Sequence, residues 1–453
     1  MAQIILQLGQ AGNQVGQQIF ETIMTDNMSS HLNLPSALSK TDKRFYESYI
    51  NESLSRYFIQ HDDNKNELTA RAVVIDTELK VIQQLLTDKS KKWKYSSKCV
   101  HEGRLGSGNN WACGYRNGTL SEDNILNALR WQLEQADRVD VILPILSLAG
   151  GTGSGLGTYF VECVRDELPR SFILTSVIVP YTSGEVVVQN YNSLLTLSHL
   201  YRSNDGIFVF ENDILQHYAK KLVAYSGMDR STNIRDMNLI LSRHLCSFLQ
   251  PILSSTTTST FSELNQLLEC LVPHAFYKLL TIRCVPQLSE QAIDFSSYKW
   301  SGLIRSLRQM YLNNSYLDEG LDWTLKPHQT HTKSISNCFL ARSSVDVTNL
   351  HDEIDKYFQN EHLYTQNVLV FDNLYYKTFS CEKKSYLNYE KFLTLISNCQ
   401  TPIYSMDKIL TKAWQLYSQK AYLHHYMKYD IDEQEFLSSF INVEQIIQSY
   451  KQL

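Results

Sequence analysis

The sequence lacks a surplus of basic residues, a long hydrophobic run and a leader-like start. Lys and Arg number 42 against 47 Asp and Glu, so the formal net charge is −5, and no basic surface is expected to bind nucleic acid. The longest apolar run, residues 139–149, is interrupted by Asp140 and Pro144 and is too short to span a membrane. Residues 1–8 have no cationic flank and are too short for the core of a signal peptide.

Paired cysteines are also lacking. The nine cysteines are an odd number, and no two of them form a C-x-x-C pair, which favours free thiols in a reducing compartment over a disulfide framework. With 43% hydrophobic and 20% charged residues in 453 positions, the composition is typical of a folded chain of two or three domains.

Short apolar segments alternate with helical patterns through the first half of the chain. The predicted strands are residues 4–8, 72–75, 139–148, 172–179 and 207–210. This alternation predicts a parallel, doubly wound α/β sheet, in which ligands bind at the carboxyl ends of the strands. Glycine- or acid-bearing segments lie at such positions, namely residues 9–12, 76–78, 106–110 and 149–155. We therefore expect them to converge on one ligand.

The remaining segments differ in character. Residues 27–68 are polar and predict a long surface loop with one short helix over 44–57. A long, largely buried helix is predicted over 237–249, and strands near 278–284, 336–340 and 368–371. The apolar spacing of residues 406–429 and 433–450 predicts two closing helices separated at 430–432.

The densest glycine cluster predicts a phosphate-binding turn. Residues 150–157 hold five glycines between a predicted buried strand and a predicted helix. Glycine lets backbone N–H groups point at one ligand, and the helix directs its positive end to the same place. Thr152 and Ser154 add hydroxyl donors. A merely flexible turn is the alternative, but such a turn would not need this position between strand and helix.

Two common phosphate-binding motifs are excluded by spacing. The chain has no Gly-Lys-Ser/Thr, so the turn is not a P-loop. Leu156 occupies the third glycine position of a G-x-G-x-x-G counted from Gly151, and residues 9–12 lack that fingerprint as well. A dinucleotide-dependent enzyme is therefore disfavoured.

An ordered set of motifs resembles the tubulin family. Residues 149–155 match its signature GGGTGSG, with Ala149 for the first glycine. The other matches, in order, are Gly9-Gln-Ala-Gly-Asn-Gln14, Asp76-Thr-Glu78, Gly108-Asn-Asn-Trp-Ala112, Glu211-Asn212, Asn238 and Val272-Pro273. Further stretches within 184–203, 300–310 and 412–422, together with the ending at 449–453, resemble the delta-tubulin subfamily.

The resemblance implies a tubulin-like fold and a structural role. The implied parts are a parallel, doubly wound GTP-binding domain (1–233), a long core helix (234–252), a second, smaller α/β domain (253–395) and a carboxyl-terminal helical hairpin (396–453). It implies a GTP-binding protein of the cytoskeleton that acts in microtubule organisation at centrioles and basal bodies in the cytoplasm. Its implied partners are other tubulins, through end-to-end contacts, and centriolar proteins.

The resemblance also implies a site for GTP or GDP with Mg²⁺. Asp76 and Glu78 would face the ion through water, although surface acids at a strand end are the alternative. Asn212 and Asn238 would contact guanine, whereas an asparagine in a helix is more often a cap. The nucleotide-contacting set is Gln10, Ala11, Gly108, Asn109, Ala149, Gly150, Gly151, Thr152, Gly153, Ser154, Gly155, Glu185, Gln189, Asn212, Ile234 and Asn238.

The chain departs from the family pattern at several of these positions. Glu185 and Gln189 fall where the family contacts ribose, among residues that differ from the common pattern. Ile234 falls where an aromatic ring usually stacks on guanine, so the ring–ring contribution of about 1 kcal/mol is lost. Gln10 would contact phosphate or metal-bound water, and a polar residue at a helix start is the alternative.

Hydrolysis is expected to be weak and to need a neighbouring subunit. Gln266 occupies the place of the acid that orients water on that neighbour, with Glu263 one helical turn earlier, and glutamine cannot ionise. The rival functions are a free-standing GTPase and a lattice-forming subunit of the alpha or beta type. Gln266 and the lack of a glutamate-rich tail after Lys451 disfavour the second.

Overall fold

The computed structural model describes fourteen stretches of the chain, which form two compact units. The first unit comprises Met1–Phe20, Leu54–Asp213 and Pro402–Tyr450, and the second comprises Glu21–Ser53, Ile214–Thr401 and Lys451–Leu453. The bounds of the four predicted domains stay a prediction. The described residues are 2–32, 40–61, 64–87, 91–103, 106–184, 186–225, 230–252, 267–288, 299–330, 332–344, 350–359, 363–364, 376–381 and 384–453.

The first unit is built on a parallel sheet of six strands. They lie in the order β6-β4-β1-β7-β8-β9, and each neighbouring pair is parallel. A small second sheet has the order β2-β3-β5. The strands of this unit are β1 (Ala2–Leu8), β2 (Phe58–His61), β3 (Asn64–Ala70), β4 (Ala72–Asp76), β5 (Trp93–Lys94), β6 (Val100–Glu102), β7 (Val139–Ser147), β8 (Phe172–Val179) and β9 (Gly206–Glu211).

The order of the six strands reverses between β1 and β7, which is where doubly wound sheets bind ligands. Ile4, Ile5 and Leu6 of β1 are fully buried, because helices cover both faces of such a sheet and leave no solvent-facing side. The predicted parallel, doubly wound architecture is confirmed. Of the segments expected to converge on a ligand, residues 9–12 follow β1, residues 106–110 follow β6 and residues 149–155 follow β7.

Helices connect and cover the strands of both units. Short 3₁₀ turns occur at Ser97–Cys99 and Pro327–Gln329, and a π-type turn at Thr152–Leu156. The α-helices are α1 (Gly9–Leu32), α2 (Lys40–Tyr57), α3 (Leu79–Thr87), α4 (Trp111–Leu120), α5 (Glu122–Glu134), α6 (Gly157–Glu167), α7 (Gln189–Ser203), α8 (Asn212–Tyr225), α9 (Ile234–Leu249), α10 (Trp300–Leu312), α11 (Leu350–Phe358), α12 (Ile403–Ser418), α13 (His424–Met427) and α14 (Glu433–Lys451).

The second unit has a mixed sheet. Its strands are β10 (Leu279–Val285), β11 (Ser334–Ser343), β12 (Tyr376–Cys381) and β13 (Lys391–Cys399). β13 lies antiparallel between β10 and β11, and β12 extends the sheet parallel to β11. Helices α10 and α11 supply apolar side chains to a common core with β11 and β13. This part of the chain has the α/β architecture that the sequence predicted, and the predicted bounds of 253–395 stay a prediction.

A buried ion pair organises the second unit. The Lys384 Nζ lies 2.9 Å from the Asp26 Oδ1, and both side chains are at most 1% exposed. The Asp26 carboxylate also accepts hydrogen bonds from the hydroxyl of Tyr49, the amide of Gln250 and the N–H of Leu387. These donors satisfy a charge that would otherwise be costly to bury.

The prediction of a surface loop over residues 27–68 is wrong in the described part of that segment, except for the short helix expected over 44–57, which lies within α2. Helix α1 extends to Leu32, α2 follows, and β2 and β3 form a hairpin. Tyr49, Ser53 and Tyr57 recur every four residues along α2 and are buried, so one face is a packing stripe despite its polar composition. Strand β13 was not predicted either, and the strand expected near 368–371 lies outside the described residues.

The closing helices differ in detail from the prediction. The expected helix over 406–429 is two helices, α12 and the short α13, separated by a turn in which Lys420 and Tyr422 have φ values of 52° and 61°. Asp430, at φ 65°, then separates α13 from α14. Left-handed backbone at non-glycine residues ends a helix locally, and periodicity alone does not show it.

In the first unit, a half-buried histidine joins α6, α7 and α14. The His199 Nδ1 lies 2.7 Å from Glu162 Oε1, and its Nε2 lies 3.1 Å from Glu435 Oε1. Burial by itself lowers the pKa of His199, but the two carboxylates outweigh burial and raise the pKa to about 9. The imidazolium is therefore the stable form at neutral pH.

This histidine makes the stability of the chain sensitive to alkaline pH. Because the folded pKa lies above the unfolded value, the stabilisation is complete below about pH 6.5 and is lost as the pH rises through about 9. His199→Gln should remove up to about 3 kcal/mol at pH 7 and much less at pH 10. Urea unfolding of both proteins at several pH values measures the difference, and an equal loss at pH 7 and pH 10 would contradict it.

Candidate functional site

The glycine turn and the start of α1 meet backbone to backbone. A Cβ built on Gly9, whose φ is +70°, would lie 2.7 Å from the N of Gly153. A Cβ on Gly12 would lie 2.2 Å from the carbonyl oxygen of Ile145 in β7. Real Cβ atoms do not approach so closely, so both positions of α1 require glycine.

Helix α4 packs against the other side of the turn with the same closeness. A Cβ on Gly114 would lie 2.0 Å from the oxygen of Gly151, and one on Gly155 would lie 2.1 Å from the oxygen of Trp111. The turn is therefore fixed between α1 and α4 by contacts that exclude side chains. It is a rigid element, and the alternative of a flexible turn does not fit this packing.

The turn presents a row of unpaired N–H groups. Within the described residues, no hydrogen-bond acceptor faces the backbone N–H groups of residues 150–154, whereas the N–H of Gly155 donates to the oxygen of Gly151 at 2.8 Å. The first N–H groups of a helix have no partner inside it and carry its positive end. The π-type turn runs directly into α6. This arrangement suits a phosphate group.

The hydroxyl of Thr152 links the turn to two neighbouring loops through the hydroxyls of Thr77 and Ser107. The Thr152 hydroxyl shares a hydrogen bond with Thr77, which follows β4, and donates to Ser107 Oγ at 3.2 Å. The Ser154 hydroxyl donates back to the carbonyl of Gly150. Thr77 and Ser107 were not among the predicted site residues, although Thr77 lies between Asp76 and Glu78, which were.

The two predicted metal-facing acids differ in environment. Asp76 is buried, and its carboxylate accepts hydrogen bonds from the Asn13 amide at 3.1 Å and from the N–H of Glu78 at 3.1 Å. Burial raises the pKa of Asp76, and these two hydrogen bonds oppose the shift. The Glu78 side chain is exposed. Across the described stretches, no three His, Cys, Asp or Glu side chains cluster to hold a metal by themselves.

A residue that the sequence analysis missed lies at the centre of the loops. The Asn192 side chain, on α7, is fully buried. Its amide donates to the carbonyl oxygens of Asn109 at 2.8 Å and Ala149 at 2.7 Å. Its oxygen accepts from the N–H of Trp111 at 3.0 Å and from the hydroxyl of Tyr426 at 2.6 Å. All four hydrogen-bonding positions of the amide are used.

Gln189, predicted to contact ribose, is engaged elsewhere. Its side chain is buried and donates to the carbonyl of Tyr181 at 3.0 Å. A Cβ on Gly184 would collide with it at 2.0 Å, so Gln189 packs inside the loop that precedes α7. Its predicted role toward a ligand stays a prediction.

The structure places the other predicted residues as follows. Gln10 is exposed and Ala11 half-buried in the first turn of α1, and Asn212 is half-buried at the start of α8. Gly108 and Asn109 form a turn with φ values of 54° and 51°. In the second unit, Ile234 is 57% exposed and Asn238 half-buried on α9. Glu185, Glu263 and Gln266 lie outside the described residues.

All nine cysteines lie in described stretches, and none forms a disulfide. No helix in the described part of the chain is both long enough and apolar enough to cross a membrane.

The chain has an α/β fold with a turn suited to a phosphate group, and comparison with known proteins specifies its class. Residues 3–220 match the Tubulin/FtsZ family, GTPase domain. The chain is 36% identical to the tubulin delta chain of Macaca fascicularis and 35% identical to that of Homo sapiens, in each case over 99% of both chains. It is 25% identical to the tubulin epsilon chain of Mus musculus, over 99% of this chain and 95% of the other.

The chain belongs to the tubulin family, as its motifs predicted. Its similarity to delta chains extends over the whole length, and the predicted resemblance to that subfamily is confirmed. Membership of a family with a GTPase domain implies that the chain binds a guanine nucleotide. The contacts assigned to individual residues stay predictions.

The unpaired N–H groups generate a prediction at Gly150. A Cβ on this residue would meet no protein atom within 4 Å, so Gly150→Val should fold with nearly unchanged stability. It should nevertheless weaken GTP binding by about tenfold or more, because the branched side chain would obstruct an approach of phosphate to the turn. Isothermal titration with GTP, together with thermal unfolding without nucleotide, separates the two effects.

The matched control is Gly302→Val on α10 of the second unit, where a Cβ also meets no atom within 4 Å. It should retain wild-type affinity for GTP. Unchanged affinity in Gly150→Val would place the phosphates elsewhere.

Proposed function

We propose that this chain is a structural GTP-binding protein of the delta-tubulin type whose phosphate site is the turn at residues 149–155. The observation that carries the proposal is the row of N–H groups at residues 150–154, which have no acceptor among the described residues and lie at the start of α6. Purification, denaturation and identification of the released nucleotide test it. Release of ATP or NAD alone, or failure to bind micromolar GTP, would overturn it.

The residues beside the turn fit a nucleotide-bound Mg²⁺. Mg²⁺ usually keeps several waters and is held by one or two carboxylates together with phosphate oxygens. Glu78 is exposed and able to face such an ion, whereas both oxygens of Asp76 already accept hydrogen bonds from the chain. Glu78 would therefore hold the hydrated ion, and Asp76 would chiefly position the loop that carries Glu78.

Contacts with the guanine and the ribose complete the proposed site. Asn212 and Asn238 have both donor and acceptor groups, as the edge of guanine requires. The exposed Ile234 would cover the base with an aliphatic face. Gln10, Ala11, Gly108 and Asn109 would contact phosphate from their loops. Glu185 and Gln189 would contact ribose. For Gln189, this contact would replace its hydrogen bond to the carbonyl of Tyr181.

The cellular role rests on the similarity to delta chains. We infer that the protein acts in the cytoplasm, in microtubule organisation at centrioles, at basal bodies and thereby in cilia. Its partners would be other tubulins, met end to end, and centriolar proteins. The alternatives are a lattice-forming subunit and a free-standing GTPase. GTP hydrolysis would depend on protein concentration in the first case and not in the second.

Hydrolysis, where it occurs, would need a neighbouring subunit. Among the described residues, the side chains bonded to the Thr152 side chain of the turn are the hydroxyls of Thr77 and Ser107, and hydroxyls are poor general bases at neutral pH. Residues Glu263 and Gln266 would act on the nucleotide of the next subunit. Glutamine can orient a water but cannot accept its proton by ionising.

The metal assignment predicts different behaviour for the two acids. Glu78→Ala should weaken GTP binding roughly fivefold in Mg²⁺ and not in EDTA, because only an ion-mediated contact is lost. Asp76→Ala should weaken binding in both conditions, because Asn13 and the N–H of Glu78 lose their acceptor. Titrations with and without Mg²⁺ measure this.

The control is Glu102→Ala, an exposed acid that pairs in register with Asp76 on the next strand. It should bind GTP as the wild type does in both conditions. An equal loss for Glu78→Ala with and without the metal would show that Glu78 acts structurally.

Hydrolysis is predicted to be slow and dependent on subunit association. Gln266→Glu should release phosphate faster than the wild type, and only above the concentration at which subunits associate, because the new acid can act only on a neighbour. Steady-state phosphate release with parallel sedimentation of the pure protein in GTP measures both quantities. Rapid turnover by dilute monomeric wild type would instead identify a free-standing GTPase.

A further inference from the structure

The short helix α13 is bonded directly to the loops of the candidate site. The Tyr426 hydroxyl donates to the Asn192 Oδ1 at 2.6 Å, and the Asn110 amide donates to the carbonyl of His425 at 2.9 Å. Asn110 is also the N-cap of α4, since its side-chain oxygen accepts from the N–H groups of Ala112 and Cys113. Two adjacent residues of α13 thus reach two separate parts of the site, and all of these residues belong to the first unit.

Asn192 transmits the contact of Tyr426 to the phosphate turn. Its oxygen is shared between Tyr426 and the N–H of Trp111, and its amide hydrogens hold the carbonyls of Asn109 and Ala149. Because every position on this buried amide is used, rotation of the side chain would break several bonds at once. Tyr426 is therefore one of four partners that together fix the orientation of Asn192.

The carbonyls held by Asn192 belong to the loops that would contact phosphate. Ala149 immediately precedes the row of N–H groups at residues 150–154, and Asn109 lies in the left-handed turn before α4. A shift of either peptide would move the N–H groups that a phosphate needs. The nucleotide loops and α13 are therefore parts of one hydrogen-bonded network.

We propose that Tyr426 is a positioning residue for the nucleotide site, and that α13 and a bound guanine nucleotide stabilise each other through Asn192. The inference rests on the proposed guanine nucleotide site and adds a means of regulation to it. By linkage, the factor by which the Tyr426 bond raises nucleotide affinity equals the factor by which nucleotide stabilises that bond. A partner that binds α13 would consequently alter nucleotide affinity, and nucleotide would alter the affinity of that partner.

Tyr426→Phe is the minimal test, because it removes one hydroxyl and keeps a ring that packs edge-on against Tyr191 and Phe436. The full-length variant should bind GTP in Mg²⁺ roughly fivefold more weakly than the wild type, as expected for one buried hydrogen bond. The matched control is Tyr191→Phe, which removes a hydroxyl bonded to the carbonyl of Ala421 in the same region but not to Asn192. It should bind GTP within about twofold of the wild type.

The change in hydrogen exchange at α13 when GTP is added supplies a second readout, because each protein is compared with itself. The N–H groups of Tyr426 and Met427 donate to the carbonyl of Leu423, so their exchange reports opening of α13. Saturating GTP should slow this exchange about fivefold in the wild type and in Tyr191→Phe, and should slow it clearly less in Tyr426→Phe, in which only the Asn110–His425 bond remains.

The outcomes separate this inference from the proposed function. A wild type that binds no guanine nucleotide would overturn both. A wild type that binds GTP without any change in exchange at α13 would overturn the coupling alone, and that measurement needs no variant to fold. Equal GTP affinity in Tyr426→Phe and the wild type would likewise overturn it.

Discussion

The first unit depends on how closely three stretches of backbone approach one another around the glycine turn. Gly9 lies against Gly153 on one side, and Gly114 lies against Gly151 on the other, with no room for a Cβ at any of these contacts. A side chain at these contacts would meet backbone atoms, so a whole helix would have to move, whereas elsewhere a neighbouring side chain can change its rotamer. The turn is therefore held rigidly before any ligand arrives, and the N–H groups of residues 150–154 have no acceptor among the described residues. Preorganisation of this kind removes part of the entropic cost of binding.

The second unit uses a different kind of constraint. The Asp26 carboxylate is buried with Lys384 and three further donors, while the Arg342 guanidinium donates to three carbonyls at the end of α9, those of Ser247, Gln250 and Pro251. Buried charges of this sort tolerate few alternative arrangements, since any displaced donor leaves an unpaired charge in an apolar interior. Buried polar networks thus add specificity to the apolar core of this unit, whereas glycine contacts fix the candidate site of the first unit. Each unit has its own source of specificity.

The sequence predicted the parts of the site whose residues are close together along the chain, and it missed the parts that depend on contacts between distant residues. The glycine turn could be predicted because a strand, five glycines and a helix follow one another within a short segment. Asn192 could not, because an asparagine within an apolar helix has no local feature that separates a central buried amide from a surface one. The buried stripe of α2 was missed for a related reason. Tyr49 and Tyr57 carry a polar hydroxyl and were therefore not expected to be buried, but these hydroxyls donate to buried acceptors, Asp26 and Gln3 respectively. In both cases, the residues that make the side chain buried are distant along the sequence, so no local pattern indicates them.

The positions of Asn192 and Gln189 show how α7 holds the loops beside it. Both residues lie on α7, three apart, so they occupy neighbouring positions on the helix surface. Gln189 holds the loop before the helix through Tyr181, whereas Asn192 holds the loops after β6 and β7. One helix thus fixes loops on either side of it through amides rather than charges. Amide side chains suit this task, because each supplies donors and acceptors at once and keeps the same charge whether or not a nucleotide with its own charges is nearby.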